Sequence, residues 1–356
     1  PISGAKNAAL KLMAAALLTA EPLTLTNVPR LADVRAMAEL LASFGVDVRV
    51  TLAGGFGEGD TMRLEARDIT SVFASYDMVR KMRASFQVLA PLVSRMGKAK
   101  VSLPGGCAIG ARPVELHLNA LQAMGARIEL AEGYVNASAP DGLNGAEIVF
   151  PFVSVGATET AMMAATLAKG KTCIVNAARE PEISDLGHCL VAMGAEIWGL
   201  GSSEITIQGV EKLHGAAHRV MPDRIEAGTY AIAAAIAGGE VELLGASHDT
   251  IASLLSLLTK SGADVTTTPR GIKVHMNGPR PRFADVTTAP FPGVSTDLQA
   301  QIMALMTVAD GTSVVKEMIF ENRFMHVPEL ARMGADVRID GDTATVRGVA
   351  KLKGAQ

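Results

Sequence analysis

A thiol set among glycines and followed by an arginine makes one segment stand apart for its chemistry: VSLPGGCAIGARPVELH, from Val101 to His117. Gly105, Gly106 and Gly110 make this loop conformationally permissive, which suits a lid that closes over a substrate and excludes water. Cys107 would ride on that lid. With Arg112 nearby its pKa would fall, making the thiol a candidate proton donor or nucleophile. The plainer reading is a glycine-rich loop carrying an inert thiol, and Cys173 in KTCIVN and Cys189 in HCLVAMG read as small core residues.

Charged and polar residues also gather where Ala-rich helices are expected to start: Lys6 and Asn7, Arg83, Thr158 and Glu159, Arg224, Thr296 and Asp297. A helix N-terminus carries partial positive charge and N–H groups without helical partners, so Lys6 or Arg83 in a first turn is unfavourable unless an anion joins it. A bound phosphate or carboxylate would supply one. The plain alternative is an exposed cation tolerating a small penalty. Asp297 follows Ser295 and Thr296 directly before LQAQIMALM, so it also reads as a helix cap or a first-turn acid. Glu321, Arg323 and His326 in IFENRFMHVPEL occupy a strand-to-helix connection, as an ion pair and turn or as part of a site; nothing local decides between them.

These residues are carried by a repeat. A helix–Gly–strand signature recurs five times: LLASFGVDVRV, LQAMGARIEL, LVAMGAEIWGL, LTKSGADVTT and LARMGADVRI, with Gly45, Gly125, Gly194, Gly262 and Gly334 about 70 residues apart. Each glycine suits a left-handed helix stop before a strand. An Ala-rich helix and a short apolar strand precede each signature, so the unit reads β-α-β-α-β. GVEKLHGA at 209–216 returns as GVAKLKGA at 348–355, and Gln356 therefore stops where a sixth unit of about 65 residues is expected to begin. The fold class is α/β: two three-unit domains, the first spanning 6–220 and the second, incomplete, spanning 221–356 with 1–5 contributing to it. The opening Pro1 in place of Met reads as a trimmed N-terminus.

Bulk properties narrow the function classes. With 49% hydrophobic but only 4% aromatic residues, the cores must be aliphatic. Lys plus Arg number 33 against 36 for Asp plus Glu, a balance without the broad basic footprint of a nucleic-acid binder. Apolar stretches such as Tyr230 to Gly238 fall short of the roughly 20 residues that cross a bilayer, and no signal peptide opens the chain, so no membrane association and a cytoplasmic location are expected. Three cysteines without CxxC spacing, and seven histidines that do not pair with acids or cysteines at ligand spacing, predict neither disulfide framework nor metal. No Walker or HExxH motif occurs, and GGFGEGD at 54–60 reads as a hairpin loop rather than a dinucleotide fingerprint.

The segments SGAKNAAL, MRASF, SLPGGCAIGARPVELH, SVGAT, AAREPEI, PDRIE, STDLQAQ and FENRFMHVPEL, in order from Ile2 to Gln356, closely resemble the UDP-N-acetylglucosamine enolpyruvyl transferase family. The resemblance implies two inside-out α/β domains, each of three similar units around a pseudo-threefold axis, in bacterial enzymes of peptidoglycan synthesis that need no cofactor. It implies that Lys6, Asn7 and Arg112 hold phosphoenolpyruvate, with Arg83 contributing to ligand binding. Arg112, Pro113, Val114, Glu115 and Leu116, with Phe152, Val153, Ser154 and Val155, would contact UDP-N-acetylglucosamine, joined by Asp297 and Ile319. Cys107 would be the general acid and covalent adduct site, the target of fosfomycin, and Asp297 the base, with Lys6 also in the catalytic set. Two departures stand out: Glu115 where the family commonly has Asp, and Phe152 where some members have Lys. The readings set against it are an enolpyruvyl transferase acting on shikimate phosphate, whose motifs lack the cysteine loop, and a catalytically silent paralogue that binds a UDP-sugar.

Overall fold

The computed structural model describes residues 1–355 apart from 56, 58 and 105–113. By internal contacts the described residues divide into two compact units, one made of those between Ser3 and Met221 and the other combining Pro1–Ile2 with those from Pro222 onward.

In the first unit the helices lie inside and the sheets outside. Helix Val155–Ala165 is buried at every position from Ala157 onward, and Lys6–Ala15 and Leu89–Met96 are nearly as enclosed, so side chains as small as alanine are needed for the helices to approach one another. Outer helices Ala32–Ser43, Glu115–Ala123 and Pro181–Ala192 complete this core.

Each sheet has one plan. A first strand runs parallel to a second, and a hairpin pairs antiparallel beyond it. In the third unit the order is Glu147–Val149, Lys171–Val175, Glu204–Gln208, Glu196–Trp198. The repeat therefore holds one strand more than its sequence pattern indicated, because the signature strand folds back as a hairpin. The first sheet borrows its parallel strand from Ala216–Arg219, which follows the third unit; Leu23 faces Ala216 and Thr26 faces Arg219, joining the end of the unit to its beginning.

The second unit repeats the design with helix Gln299–Met306 largely buried and helix Arg224–Ala237 burying one face, through Ala227, Gly228, Ala231, Ile232 and Ala235, while Tyr230 is 54% exposed. Its second sheet has the full four strands, Val286–Thr287, Thr312–Lys316, Thr343–Arg347 and Asp336–Asp340. Its first has three, Gly239–Leu244, Gly271–Met276 and Ala263–Thr268, and the Ile2 N–H donates to the Leu244 carbonyl at 2.9 Å.

The signature glycines behave alike: Gly45, Gly125, Gly194, Gly262 and Gly334 have φ of 95°, 93°, 101°, 102° and 92°, a region other residues enter at a cost. The echoed segments are also equivalent bond for bond. Gly209 N–H donates to Gly170 and Val210 N–H to Thr166, while Gly348 N–H donates to Gly311 and Val349 N–H to Thr307.

Candidate active site

In the first unit Lys6 is the first residue of its helix. No side chain caps that helix, and its first turn holds no acid. The missing anion comes from elsewhere: Asp33, in the first turn of the next helix, brings Oδ2 to 3.3 Å from Lys6 Nζ. This corrects the argument from helix ends alone, since a protein carboxylate already meets the electrostatic demand attributed to a ligand. Both side chains remain substantially exposed, so an anionic ligand can compete for the ammonium. Asn7, beside it, is half-buried.

Arg83 opens the 3₁₀ turn Arg83–Val88, half-buried and again without a side-chain cap. Val114 and Glu115 lie at the start of Glu115–Ala123, Glu115 exposed in the first turn and Val114 against the core. Leu116 is buried, so any ligand contact there goes through its backbone. Phe152 is 56% exposed, and Val153, Ser154 and Val155 lead into their helix with Ser154 Oγ accepting from Ala157 N–H at 3.3 Å. Cys107, Arg112 and Pro113 lie outside the described residues.

Two expectations about helix starts change. Thr158 and Glu159 sit one turn inside a helix that begins at Val155, and both are buried. Arg224 opens a helix whose first turn is already served: Asp223 Oδ1 accepts from Ile225 and Glu226 N–H groups at 2.8 and 3.0 Å.

The buried Glu159 belongs to a network not foreseen from sequence. Its Oε1 is 3.4 Å from Lys11 Nζ, and Gln87 Nε2 donates to its Oε2 at 3.1 Å and to the Gly156 carbonyl at 3.1 Å. Thr160 Oγ1 donates to Gln87 Oε1 at 3.0 Å and lies 2.7 Å from His117 Nδ1, while the His117 ring meets Phe86 edge to face. Burial raises the Glu159 pKa to about 7, outweighing attraction to Lys11, with Glu182 and Glu180 pushing the same way as burial. Burial lowers His117 to about 4, helped by the positive charges of Arg83 and Lys11. His117 falls within the cysteine-loop motif, but its partners Thr160 and Phe86 lie on other elements.

The cysteines separate. Cys189 is buried, its thiol pushed to about 12 by loss of hydration. Cys173 is no core residue: it is half-exposed, with Sγ 3.6 Å from Glu204 Oε1.

In the second unit Asp297 lies in the turn Thr296–Leu298 that leads into Gln299–Met306. Ser295 is the cap, its Oγ accepting from the Asp297 N–H at 3.3 Å, which leaves the Asp297 carboxylate for other work. Arg323 Nη2 donates to its Oδ1 at 2.7 Å, and the same guanidinium stands 5.6 Å from the Phe320 ring. Arg323 is thus a partner of the proposed base rather than part of an unrelated turn. Ile319 is half-buried, and its N–H donates to Glu317 Oε1 at 2.8 Å. His326 is lowered from its ordinary pKa mainly by burial. Among the described residues, no group of three or more His, Cys, Asp or Glu is placed to hold a metal, and no helix is long and apolar enough to cross a membrane.

The first unit carries cations at helix starts, Lys6 and Arg83, and the second a carboxylate, Asp297, held by an arginine. A family described as EPSP synthase (3-phosphoshikimate 1-carboxyvinyltransferase) matches residues 1–356. A protein of Caulobacter vibrioides named UDP-N-acetylglucosamine 1-carboxyvinyltransferase is 61% identical over 356 residues, covering all of this chain and 82% of that protein. One of the same name from Rhodospirillum centenum is 60% identical over 359 residues, covering all of this chain and 83% of the relative. The chain belongs to the EPSP synthase family of carboxyvinyl transferases and, within it, to the UDP-N-acetylglucosamine 1-carboxyvinyltransferases.

Solved structures agree on the fold. The enolpyruvyl transferase NikO of Streptomyces tendae superposes with a TM-score of 0.82 at 24% identity, covering 98% of this chain and 81% of that one. EPSP synthase of Acinetobacter baumannii gives 0.71 at 20% identity, covering 99% and 82%.

Proposed function

We propose that this enzyme transfers the enolpyruvyl group of phosphoenolpyruvate to the 3-hydroxyl of UDP-N-acetylglucosamine, releasing phosphate, as the first committed step of peptidoglycan synthesis in the bacterial cytoplasm. The observation that carries this is the 61% identity, across the whole chain, to a relative bearing that name.

The reaction is addition followed by elimination. Cys107 protonates the methylene carbon of phosphoenolpyruvate, and the cationic carbon so formed is attacked by the sugar 3-hydroxyl, whose proton passes to Asp297. Loss of a proton from the new methyl group and departure of phosphate restore the double bond on the product. Cys107 can instead add to the cationic carbon and hold phosphoenolpyruvate as a covalent adduct. Lys6, Asn7 and Arg112 hold phosphoenolpyruvate, with Arg83 contributing charge; a planar guanidinium binds carboxylate or phosphate through two hydrogen bonds. Val114 to Leu116, Phe152 to Val155, Asp297 and Ile319 receive the UDP-sugar, with Arg112 and Pro113 completing that set. Glu115 and the exposed Phe152 alter its contacts relative to members carrying Asp and Lys there.

Phosphate release from phosphoenolpyruvate tests this reading. It is expected with UDP-N-acetylglucosamine and absent without it; equal release with shikimate phosphate would transfer the assignment to the other branch of the family. Selective labelling by fosfomycin at Cys107 is expected, and labelling indifferent to that residue counts against its role.

A further inference from the structure

Four donors converge on a buried carboxylate that the reaction does not use directly. Glu317 follows strand Thr312–Lys316 and is only 4% exposed. Its Oε1 accepts from Thr288 Oγ1 at 2.9 Å, from Ile319 N–H at 2.8 Å and from Phe320 N–H at 3.2 Å, and its Oε2 accepts from Thr296 Oγ1 at 2.9 Å. Thr288 Oγ1 in turn accepts from Met318 N–H at 2.9 Å. A carboxylate is costly to bury unless its oxygens are satisfied, and here both are.

The repeat shows what this position does elsewhere. Counted along equivalent strands it corresponds to Asn27 and Asn176 of the first unit, each at φ 59°. Each asparagine donates its side-chain amide to the carbonyl just past the neighbouring parallel strand, Asn27 to Val220 at 2.9 Å and Asn176 to Phe150 at 3.0 Å. Glu317 makes the equivalent clamp to Thr288 with donor and acceptor exchanged. One extra methylene and a second acceptor oxygen let it also reach Thr296, next to Asp297, while its first oxygen fixes the Ile319 amide. Clamping the strands requires neither added contact.

We infer that Glu317 is a positioning residue for the transfer reaction, setting Asp297 through Thr296 and the Ile319 segment through its backbone. This rests on the reading that Asp297 is the base and that Ile319 meets the UDP-sugar. Glu317 touches no substrate. Its two oxygens divide the labour: Oε2 governs the base, and Oε1 governs the sugar-binding turn.

Three variants separate these roles. Glu317→Ala is expected to lower kcat about tenfold or more and to raise KM for UDP-N-acetylglucosamine, with KM for phosphoenolpyruvate within about twofold of wild type. Glu317→Gln keeps one acceptor oxygen and is expected to restore KM for the sugar but not kcat. Thr296→Val, which leaves the Oε1 contacts intact, is expected to lower kcat alone. In parallel, the carboxyl ¹³C resonance of Asp297, assigned through Asp297→Asn, is expected to move in Glu317→Ala and Thr296→Val. A kcat that falls only with the folded fraction, with both KM values unchanged and the Asp297 resonance unmoved, overturns the inference. Absence of phosphate release by wild type with UDP-N-acetylglucosamine overturns the functional reading instead, and the Asp297 resonance then decides the positioning on its own.

Discussion

The Oδ1 oxygen of Asp297 lies 2.7 Å from Nη2 of Arg323, a residue 26 positions further along the chain, while Ser295 caps the turn that holds Asp297 and leads into the helix. Because the carboxylate is not the cap, Asp297→Asn removes charge and basicity without removing the helix start. Turnover is expected to fall by about 10²–10⁴. The melting temperature should shift by no more than about 4 °C, since a partly exposed pair contributes about 1 kcal/mol at most. Steady-state kinetics beside thermal unfolding check both; a large loss of folding would return Asp297 to a structural role.

Asp33 pairs with Lys6 at 3.3 Å, so an anionic substrate held by Lys6 would have to displace it. Asp33→Asn is expected to lower KM for phosphoenolpyruvate by about two- to fivefold, the ceiling set by an exposed ion pair, and to leave stability nearly unchanged. Lys6→Met should raise the same KM sharply. An Asp33→Asn enzyme with wild-type KM would show that Lys6 does not exchange one anion for the other.

His117 and Glu159 give stability opposite dependences on pH. The His117 pKa is depressed to about 4 in the folded chain, so its contribution is complete above the ordinary value of 6.5 and is lost as pH falls toward 4. The Glu159 pKa is raised to about 7, so its contribution is complete below the ordinary value of 4.5 and is lost as pH rises toward 7. Between these limits the two offset each other, each changing by at most about 1.4 kcal/mol per pH unit. Relative to wild type, His117→Asn should gain stability as pH falls from 7 to 4, and Glu159→Gln should gain as it rises from 4.5 to 7. Urea denaturation across that range reads both trends, and parallel curves would contradict the assigned directions.

Gly209 and Gly348 occupy equivalent places with no room for a methyl group. A Cβ on either would lie 1.7 Å from a carbonyl oxygen, that of Ala168 or Ala309. Gly209→Ala and Gly348→Ala are each expected to destabilise by about 1–3 kcal/mol, because rigid backbone rather than a flexible side chain must move. Comparable midpoints for variant and wild type in chemical denaturation would contradict that packing.

Much of the architecture was legible along the chain. The five signature glycines, the Ala-rich helices and the returning GVEKLHGA motif are local patterns, and a left-handed φ or an Ala-rich helix depends on few neighbours. The family motifs likewise point to Lys6, Asp297 and Ile319, and to Cys107 and Arg112, which lie outside the described residues. The hairpin strand of each unit escaped the three-strand pattern although its alternation is local: Ile205 and Ile207 in EITIQ, and Ala344 and Val346 in TATVR, are fully buried.

What periodicity and motif did not contain was partnership. Lys6 sits beside Asp33, Asp297 beside Arg323, Glu159 beside Lys11 and Gln87, and Thr296 beside Glu317 only because separate strands and helices pack to bring them together. The sequence by itself determined the residue types and the repeating elements that carry them. Tertiary structure decided which charges meet and which acid is buried, because electrostatic and hydration energies depend on distances in space that separation along the chain does not set.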